Sequence, residues 1–394
     1  MSFSPSDDKD HSSLAAQAFQ HIEVLAHNIG ARPAGSSSER QALDYISGIL
    51  SQLGYEIERQ PVAFAPQSAF SLPVVIAGLV FALCGWGIAS VPWLVIWIPI
   101  LMMALPQVER AWIQHRKPTC ASENLYAYKP GEVNAIPNFI LTAHVDSALA
   151  SPFYYQSILK FYSRTMDYVQ RVAWMIAALS LLELFGIPVG HLFIIPVAIL
   201  GSLSGLMLLL PQVLSALRKR YRHSLASFSS GANDNASGVG VLLALANSLA
   251  QQGTSQKAAF LFTSAEETGL QGARAFCDSH ENWRHNTSII CLDMVGRGNS
   301  LYYVSKERIF RPIYTSQTLN QLLRQANPQL KGIWYTLRSG DFAAFCRAGF
   351  PATSLQCGEK DLVDWTCHSI YDTSERIETS ALENVLNTLE KIIL

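Results

Sequence analysis

The stretch KAAFLFTSAEETGLQG, residues 257–272, is the part of the sequence that says most about the fold. It begins with a short apolar run that is typical of a buried strand, and it continues directly into two adjacent carboxylates, Glu266 and Glu267, and a turn that contains glycine. Adjacent like charges at the end of a buried strand repel each other, and their burial costs free energy unless a cation lies between them. The sequence therefore indicates a cation beside these two side chains.

Other polar segments repeat the pattern of a strand followed by a helix. Further β-rich runs are YEIERQPVAF, ENLYAY, NFILTAHVDS and SIICLDMVG, and helical stretches such as ASGVGVLLALANSLAQQ and GARAFCDSH lie between such runs. Residues 13–54 predict two amphipathic helices around the loop GARPAGSSSE. Strands that alternate with helices predict an α/β fold with a mostly parallel mixed sheet and helices on both faces.

Two long regions of the chain are almost free of charge. The 394 residues are 49% hydrophobic and only 15% charged, whereas an ordinary soluble domain has about 25% charged residues. Residues 60–108 contain no Asp, Glu, Lys or Arg, and residues 172–217 contain one acid, Glu183. Each region is long enough for two membrane helices of about 20 residues. The pattern predicts two transmembrane hairpins; the alternative is buried core helices or an apolar dimer face.

The two hairpins interrupt one polar domain. We predict hairpins at residues 69–108 and 171–217, and a polar domain assembled from residues 1–68, 109–170 and 218–394. Each hairpin begins and ends on the same side of a membrane, so an even number of spans lets the domain assemble on that side.

Basic residues predict which side of the membrane the polar domain faces. They cluster where the hairpins meet the polar segments: Arg110, Arg116, Lys117, Lys160, Arg164, Arg171 and residues 218–223. The predicted hairpin turns carry no Lys or Arg. The positive-inside bias places the polar domain in the cytoplasm; the alternative is that these side chains contact lipid headgroups on whichever side the domain lies.

Charge and cysteine content restrict the partners. The formal net charge of -1 argues against a nucleic-acid partner, because the chain has no overall positive field to attract phosphates. Seven cysteines without paired spacing indicate mostly free thiols. The oligomeric state is not indicated by the sequence, whereas the apolar regions indicate a lipid bilayer as a partner.

Ionisable side chains follow three of the predicted strands. NFILTA leads to His144 and Asp146, AAFLFTSA leads to Glu266 and Glu267, and SIICL leads to Asp293. Ligands of open α/β sheets bind beyond the carboxyl ends of the strands. The three strands are therefore expected to bring these side chains to one edge of the sheet.

Two further residues complete a candidate metal site. Asp234 lies in the Gly- and Asn-rich loop SGANDNASG before a predicted helix, and His368 lies in the polar stretch DWTCHSIYDTSERI. Two histidines and three carboxylates are then available as ligands, and Glu266 remains as a base. This donor set suits Zn²⁺ with open positions for water, whose pKa zinc lowers to about 7. Two metal ions about 3.5 to 4 Å apart would share a bridging carboxylate.

Each of these residues also has a simpler interpretation when it is taken alone. Asp234 could cap the helix that follows it, and the two adjacent glutamates could interact with a helix dipole. Asp293 could be a turn residue, and the two histidines could be structural or exposed. The metal site is favoured because all the simpler interpretations would have to hold together.

Six motifs, in this order, resemble those of the M28 zinc peptidases of the aminopeptidase type: AHVDS, GANDNASGV, SAEETGLQGA, LDMVG, SGDFAAFCRAGFPA and HSIYDTSE. The resemblance implies a peptidase with the α/β fold of the zinc aminopeptidases that holds two zinc ions and removes N-terminal residues from peptides, and the two predicted hairpins would anchor it in a membrane. It also implies the role of each site residue: His144 and Asp293 bind one zinc, Glu267 and His368 bind the other, Asp234 bridges the two, Glu266 is the general base, and Asp146 orients His144.

The chain departs from the family pattern in two places. The second hairpin lies between His144 and Asp234, and Gly340, Asp341 and Phe342 stand where the family often has a Ser-Asp-His run. The alternatives to an aminopeptidase are an aminoacyltransferase that resembles glutaminyl cyclases and holds one zinc, or a non-enzymatic receptor or scaffold on the same fold.

Overall fold

The structure is a computed structural model that describes residues 7–66, 72–87, 104–105, 108, 111–112, 116–129, 137–150, 168, 171–172, 174–188, 199–207, 209–210, 213, 228–254, 258–307, 312–335, 339–358 and 366–394. The chain divides into two units. The first consists of Met1–Pro66, Lys117–Ala150 and Phe228–Leu394, and the second consists of Gln67–Arg116 and Ser151–Ser227.

A nine-stranded mixed sheet runs through the first unit. Its strands are β1 Glu56–Phe64, β2 Cys120–Tyr128, β3 Phe139–His144, β4 Ala258–Thr263, β5 Ser288–Leu292, β6 Ser300–Glu307, β7 Ile313–Tyr314, β8 Lys331–Tyr335 and β9 Ala352–Gly358. Their order is β1-β2-β4-β3-β5-β9-β6-β7, and β8 pairs with β6. The neighbours β4, β3, β5 and β9 are parallel, as are β6 and β8, whereas β1–β2, β2–β4, β6–β9 and β6–β7 are antiparallel. The expectation of a mostly parallel sheet therefore holds for the central strands and not for the edges.

Helices cover both faces of this sheet. They are α1 Asp7–Glu23, α2 Ser37–Gln52, α3 Ser237–Gln251, α4 Gln271–Ser279, α5 Gln317–Ala326, α6 Asp341–Ala348 and α7 Thr379–Ile393. Successive strand residues point to opposite faces, and Leu141 accordingly packs in the core that contains α1, α2, α3 and α7, whereas Ile140 packs in the core that contains α4 and α6. The α/β fold with helices on both faces is confirmed.

The two N-terminal helices also agree with the sequence pattern. Ser36 caps α2, because its side chain accepts a hydrogen bond from the peptide N–H of Glu39. Ala42, Ile46 and Leu50 recur at helical spacing and are fully buried. The amphipathic pattern thus predicts both the helix and the face that packs on the sheet.

The register of the central strands brings their carboxyl ends together. His144 of β3 lies opposite Thr263 of β4, and Thr142 of β3 lies opposite Cys291 of β5. The loops that follow β3, β4 and β5 therefore leave the sheet at the same edge. The peptide N–H of Val145 donates to the carbonyl of Thr263 at 2.8 Å, so the first two loops stay paired beyond the strands.

The second unit is mainly helical where the structure describes it. It contains the helix Leu72–Gly87 and helical residues 174–184 and 199–207. A Cβ atom on Gly78 would lie 2.9 Å from Leu209 Cγ and 3.3 Å from the carbonyl oxygen of Gly205. The glycine therefore allows two apolar segments to approach closely.

Part of each predicted transmembrane hairpin lies outside the residues with a described structure, including residues 88–103 and 189–198. Among the helices that the structure does describe, none combines the length and the apolar character needed to cross a membrane.

Candidate metal centre

His144 is the last residue of β3 and is buried. Its Nδ1 lies 3.0 Å from the backbone carbonyl oxygen of Asp146. A proton on Nδ1 would be donated to this carbonyl, which leaves Nε2 as the atom with a free lone pair. Nε2 lies 3.2 Å from Asp234 Oδ1 and 4.0 Å from Asp293 Oδ1. The imidazole therefore faces two of the predicted carboxylate ligands.

Asp146 makes a different contact from the one that the resemblance implies. Its carboxylate oxygen Oδ1 lies 3.6 Å from His144 Nδ1, farther than its own backbone carbonyl. The two carboxylate oxygens instead accept hydrogen bonds from the peptide N–H groups of Glu266 and Glu267, each at 3.1 Å. The side chain of Asp146 thus joins the loop after β3 to the loop after β4. Its predicted catalytic role stays a prediction.

The carboxylate of Asp234 lies between the two histidines. Asp234 belongs to the irregular turn Ala232–Ala236 that precedes α3. Its Oδ1 lies 3.2 Å from His144 Nε2, and its Oδ2 lies 3.1 Å from His368 Nε2. Burial alone would raise the pKa of Asp234, but the contacts with His144 and His368 hold that pKa well below its ordinary value.

Two asparagines fasten this turn to the loop after β5. Asn235 Nδ2 donates to the carbonyl of Leu292 at 2.7 Å, and Asn233 Oδ1 accepts from the peptide N–H of Gly296 at 2.9 Å. Asp293 lies between these two contact points in the sequence. The two loops that carry Asp234 and Asp293 are therefore held together by buried hydrogen bonds.

Burial and mutual repulsion raise the pKa values of the carboxylates around this turn. Burial raises the pKa of Glu266 well above its ordinary value, and the charges of Glu267, Asp341 and Asp293 add to this effect while His144 opposes it. Burial and the charge of Asp234 raise the pKa of Asp293 to about 7. Burial also raises the pKa of Glu267. The carboxylates thus lie closer together than their own charges favour.

One oxygen of this cluster lacks a hydrogen-bond donor. Glu267 Oε1 is buried, lies 3.2 Å from His368 Nε2, and has no hydrogen-bond partner within the described part of the chain. A divalent cation at this point would satisfy the oxygen and offset the repulsion among the carboxylates.

The donor atoms form three overlapping groups that could each hold a metal ion. In every group the possible ligand atoms lie within 4.8 Å of one another, and the groups are His144 with Asp234 and Asp293, His144 with Glu266 and Glu267, and Asp234 with Cys367 and His368. Imidazole and carboxylate donors suit zinc. The structure brings all seven predicted site residues to one edge of the sheet, and their individual ligand roles stay predictions.

Two further side chains of this cluster, Cys367 and Asp372, are not predicted from the sequence. The thiol of Cys367 donates to Asp234 Oδ2 at 3.2 Å. The carboxylate of Asp372 accepts hydrogen bonds from the peptide N–H groups of Asn233 at 2.7 Å and Asp234 at 3.1 Å. Both residues flank His368 in the segment TCHSIYD. Their positions in the sequence, one residue before and four residues after His368, are the only feature that could have suggested a place in the site. Spacing alone does not show that they contact a loop more than 130 residues away.

Asp341 is a further buried carboxylate that interacts electrostatically with Glu266 and Glu267. The hydroxyl of Thr263, the last residue of β4, donates to its carboxylate. Burial and the charges of Asp146 and Glu267 raise the pKa of Asp341 to about 6, while His144 and the Thr263 hydrogen bond oppose this rise. Asp341 therefore belongs to the same electrostatic cluster as Glu266, although it was noted in the sequence only as a departure from the family pattern.

Three residues at the site have left-handed backbone conformations. Their φ angles are 54° for Ala265, 56° for Met294 and 52° for His368. Such a conformation costs a residue with a side chain roughly 1 to 2 kcal/mol. The hydrogen bonds between the loops offset this cost, for example that from the Met294 peptide N–H to Asn235 Oδ1.

Comparisons with known proteins agree with this architecture. Residues 219–393 match the sequence model of peptidase family M28. Among solved structures, a zinc aminopeptidase from Bacillus subtilis is 16% identical with a TM-score of 0.57, and the match covers 96% of this chain and 94% of that one. A leucine aminopeptidase precursor from Bacteroides thetaiotaomicron is 15% identical with a TM-score of 0.56, and the match covers 96% of each chain.

A glutaminyl cyclase has the same fold. The enzyme from Bacteroides thetaiotaomicron, bound to N-acetylhistamine, is 16% identical to this chain with a TM-score of 0.56, and the match covers 96% of this chain and 97% of that one. No curated protein matches the chain in sequence. At these identities the solved structures show the fold alone, which is that of the zinc aminopeptidases. The family match is limited to the C-terminal part of the chain, residues 219–393.

Proposed function

We propose that this chain is an aminopeptidase that uses two zinc ions to remove N-terminal residues from peptides. The observation that carries the proposal is the position of Asp234, whose two carboxylate oxygens lie 3.2 and 3.1 Å from the Nε2 atoms of two different histidines. A carboxylate that faces one imidazole on each side is suited to bridge two cations, each with its own nitrogen ligand.

The remaining ligands divide between the two sides of Asp234. His144 and Asp293 would hold one zinc ion, because His144 Nε2 lies 4.0 Å from Asp293 Oδ1. His368 and Glu267 would hold the other, because His368 Nε2 lies 3.2 Å from Glu267 Oε1. When bound, zinc polarises the scissile carbonyl and lowers the pKa of water at the site.

Glu266 is suited to transfer a proton from the attacking water to the departing amine. It is adjacent to the predicted ligand Glu267, yet it is not needed to complete either set of ligands. Burial and the charges of neighbouring carboxylates raise the pKa of Glu266 well above its ordinary value, so the side chain binds a proton more readily than an exposed glutamate does. In the proposed reaction Glu266 accepts the proton of the attacking water and then donates it to the departing amine.

A glutaminyl cyclase-like reaction is the second candidate, and the shared fold with glutaminyl cyclases supports it. Both reactions start with a carbonyl that is attacked by a nucleophile. They differ in the nucleophile, which is water in hydrolysis and the substrate's own N-terminal amine in cyclisation. The number of zinc ions per chain separates the two proposals, because we expect two for the aminopeptidase and one for the cyclase.

The test combines elemental analysis of the purified full chain with a panel of aminoacyl and glutaminyl substrates. We expect two zinc ions per chain and hydrolysis that a chelator abolishes and added zinc restores. Glu266→Ala should retain both ions and lose hydrolysis, by about 10²-fold or more. The matched control is Glu281→Ala, which removes an exposed glutamate paired with Arg284 and should leave the rate unchanged. Wild-type hydrolysis by Glu266→Ala would contradict the mechanism.

We further propose that the second unit lies in a lipid bilayer. Its described helices expose large apolar side chains, including Leu79 at 52% and Leu83 at 68%, and the turn residue Phe185 is 80% exposed. They also bury small and polar residues: Ser180 and Ser204 are fully buried, and each hydroxyl donates to the carbonyl four residues earlier. Large residues outside and small residues inside are typical of helices that pack together in lipid.

This second proposal predicts a multi-pass integral membrane protein whose metal-binding unit faces the cytoplasm. The chain should stay with the membrane fraction in alkaline carbonate and enter solution in detergent. A protease added to intact cells should leave the metal-binding unit uncut, because the basic residues at the hairpin ends favour the cytoplasmic side. Release of the chain into carbonate without detergent would contradict the membrane proposal and leave the peptidase proposal standing.

A further inference from the structure

Asp372 is a buried carboxylate that contacts two consecutive peptide groups. It is 1% exposed and lies four residues after His368. Its Oδ1 accepts a hydrogen bond from the peptide N–H of Asn233 at 2.7 Å, and its Oδ2 accepts one from the peptide N–H of Asp234 at 3.1 Å. Both oxygens of the carboxylate are therefore used on consecutive peptide groups of the loop that carries Asp234.

Asp146 makes the same pair of contacts elsewhere in the cluster. It is fully buried, lies two residues after His144, and accepts hydrogen bonds from the consecutive peptide N–H groups of Glu266 and Glu267. In both cases an aspartate that follows a candidate histidine ligand holds the backbone of a loop with a candidate carboxylate ligand. The two contacts involve separate loops, so the arrangement occurs twice in one site.

The backbone of Asp372 holds the same loop as its side chain. Its carbonyl oxygen accepts hydrogen bonds from the Ser230 hydroxyl at 2.5 Å and from the peptide N–H of Ala232 at 3.3 Å. The buried guanidinium of Arg32 donates to the carbonyls of Ser230 and Gly231 at 2.7 and 3.0 Å. Arg32 and Asp372 therefore both hold the segment before Asp234. Of the two, Asp372 is the one that contacts the peptide N–H of Asp234 itself.

We propose that Asp372 is a positioning residue that sets the orientation of the Asp234 carboxylate between His144 and His368. This inference rests on the proposed function, because the orientation matters only if Asp234 is shared by two metal ions. Hydrogen bonds from peptide groups to an ionised carboxylate are about twice as strong as those between neutral groups. Asp372 therefore holds the turn at Asp234 more firmly than a neutral side chain would.

The experiment measures zinc affinity in the full chain by competition with a chromophoric chelator. Asp372→Asn replaces one acceptor oxygen with an N–H₂ group that faces a peptide N–H. We expect zinc affinity to fall by about 10- to 100-fold, as it does when partners of metal ligands are removed elsewhere. Hydrogen exchange in the peptide that spans residues 231–236 of the metal-free protein should become faster.

A matched control separates positioning from the loss of any buried carboxylate. Glu390 is also buried, and its Oε1 accepts a hydrogen bond from Ser248 Oγ at 2.8 Å. Glu390→Gln should leave zinc affinity and exchange at residues 231–236 unchanged. If Asp372→Asn does not fold, Asp372→Glu serves in its place, because it retains the charge and both acceptors but displaces them by one methylene group. We expect Asp372→Glu to weaken zinc binding as well.

Wild-type zinc affinity and wild-type exchange in a folded Asp372 variant would overturn the inference. The outcome is independent of the reaction, because neither readout uses a substrate. A wild-type chain that binds two zinc ions but hydrolyses no peptide would refute the proposed function and leave the role of Asp372 to be decided by the affinities. A wild-type chain that binds no zinc would refute both proposals.

Discussion

Arg32 Nη2 donates a hydrogen bond to the carbonyl oxygen of Gly231 at 3.0 Å, across 199 positions of the sequence. Arg32 is 1% exposed, and its guanidinium also donates to the carbonyl groups of Leu25, Gly30, Val145 and Ser230. Burial lowers the pKa of Arg32 to about 10, against the opposing charges of Asp372, Asp146 and Asp234. The side chain remains charged at neutral pH and joins the N-terminal loop to two loops of the site.

We expect Arg32→Met to lower the free energy of unfolding of the metal-free protein by about 3 kcal/mol or more, because it removes a buried guanidinium that donates to five backbone carbonyl groups. Chemical denaturation with chelator present measures this. Arg59→Met is the control: Arg59 is about one-third exposed and pairs with Asp44 and Glu123. Such exposed pairs contribute under about 1 kcal/mol. Equal effects of the two substitutions would contradict the structural role of Arg32.

Two glycines should respond to alanine with opposite signs. A Cβ atom on Gly272 would lie 2.3 Å from the carbonyl oxygen of Ser264 and 2.5 Å from Asn124 Oδ1. We expect Gly272→Ala to destabilise the fold by about 3 kcal/mol and to lower zinc content, because it displaces the loop that carries Glu266 and Glu267. Differential scanning fluorimetry and elemental analysis provide the two measurements.

The opposite result is expected for Gly48, which is exposed within α2 and has nothing within 4 Å of the position of its Cβ. Gly48→Ala should stabilise the protein by about 0.5 to 1 kcal/mol, because glycine in the middle of a helix is less stable than alanine. A destabilised Gly48→Ala variant would show that the helix lies differently from its place in this structure.

Glu39 should give the stability of the protein a negative dependence on pH. Burial and the charge of Asp146 raise the pKa of Glu39 from 4.5 to about 8, while hydrogen bonds from Ser122 and Gly35 oppose the rise. The protonated folded form is therefore the favoured one. Its contribution is fully present below pH 4.5 and is lost as the pH rises through about 8.

Glu39→Gln should remove this part of the pH dependence, which is on the order of a few kcal/mol over the whole window. The measurement is the free energy of unfolding of the metal-free protein between pH 5 and pH 8, compared with wild type at each pH. Glu58→Gln, which alters an exposed carboxylate on β1, should leave the slope unchanged. A wild-type slope in Glu39→Gln would show that Glu39 is ionised in the folded protein throughout this range.

Asp293→Asn should separate stability from metal binding. Burial and the charge of Asp234 raise the pKa of Asp293 to about 7, so this carboxylate destabilises the metal-free fold when it is ionised. Its neutral replacement should stabilise the metal-free protein by about 1 kcal/mol and reduce the bound zinc to one ion or none. Thermal unfolding with and without zinc tests both effects. Lower stability of the metal-free variant would show that the carboxylates are not in conflict.

Most elements before residue 296 could be predicted from the sequence. The short apolar runs that lead to His144, Glu266 and Asp293 form β3, β4 and β5, and helical spacing predicts α1 to α4. The region after residue 296 was not predicted as β6 to β9, since its strands mix polar and aromatic residues and alternate weakly in burial. SLYYVSKE in β6 is an example. Tertiary pairing rather than local pattern determines these strands.

The candidate site was also predicted only in part. Its potential ligands could be named because each follows a strand or precedes a helix in a recognisable local pattern. The residues that hold those ligands could not be named, because their contacts join distant segments: Asp372 contacts Asn233 across 139 positions, and Arg32 contacts Val145 across 113. For the same reason the sequence does not show that the carboxylate of Asp146 accepts hydrogen bonds from the peptide groups of Glu266 and Glu267.

The five predicted metal ligands come from five separate segments, and His368 is the last of them along the chain. During synthesis on the ribosome the side of the site that needs His368 cannot form until that segment has emerged. Asp372, which holds the loop of Asp234, emerges later still. A nascent chain that already contains the complete sheet from β1 to β9 would therefore lack His368, one of the five predicted metal ligands, so translation itself would delay completion of the site until the segment of His368 and Asp372 has emerged.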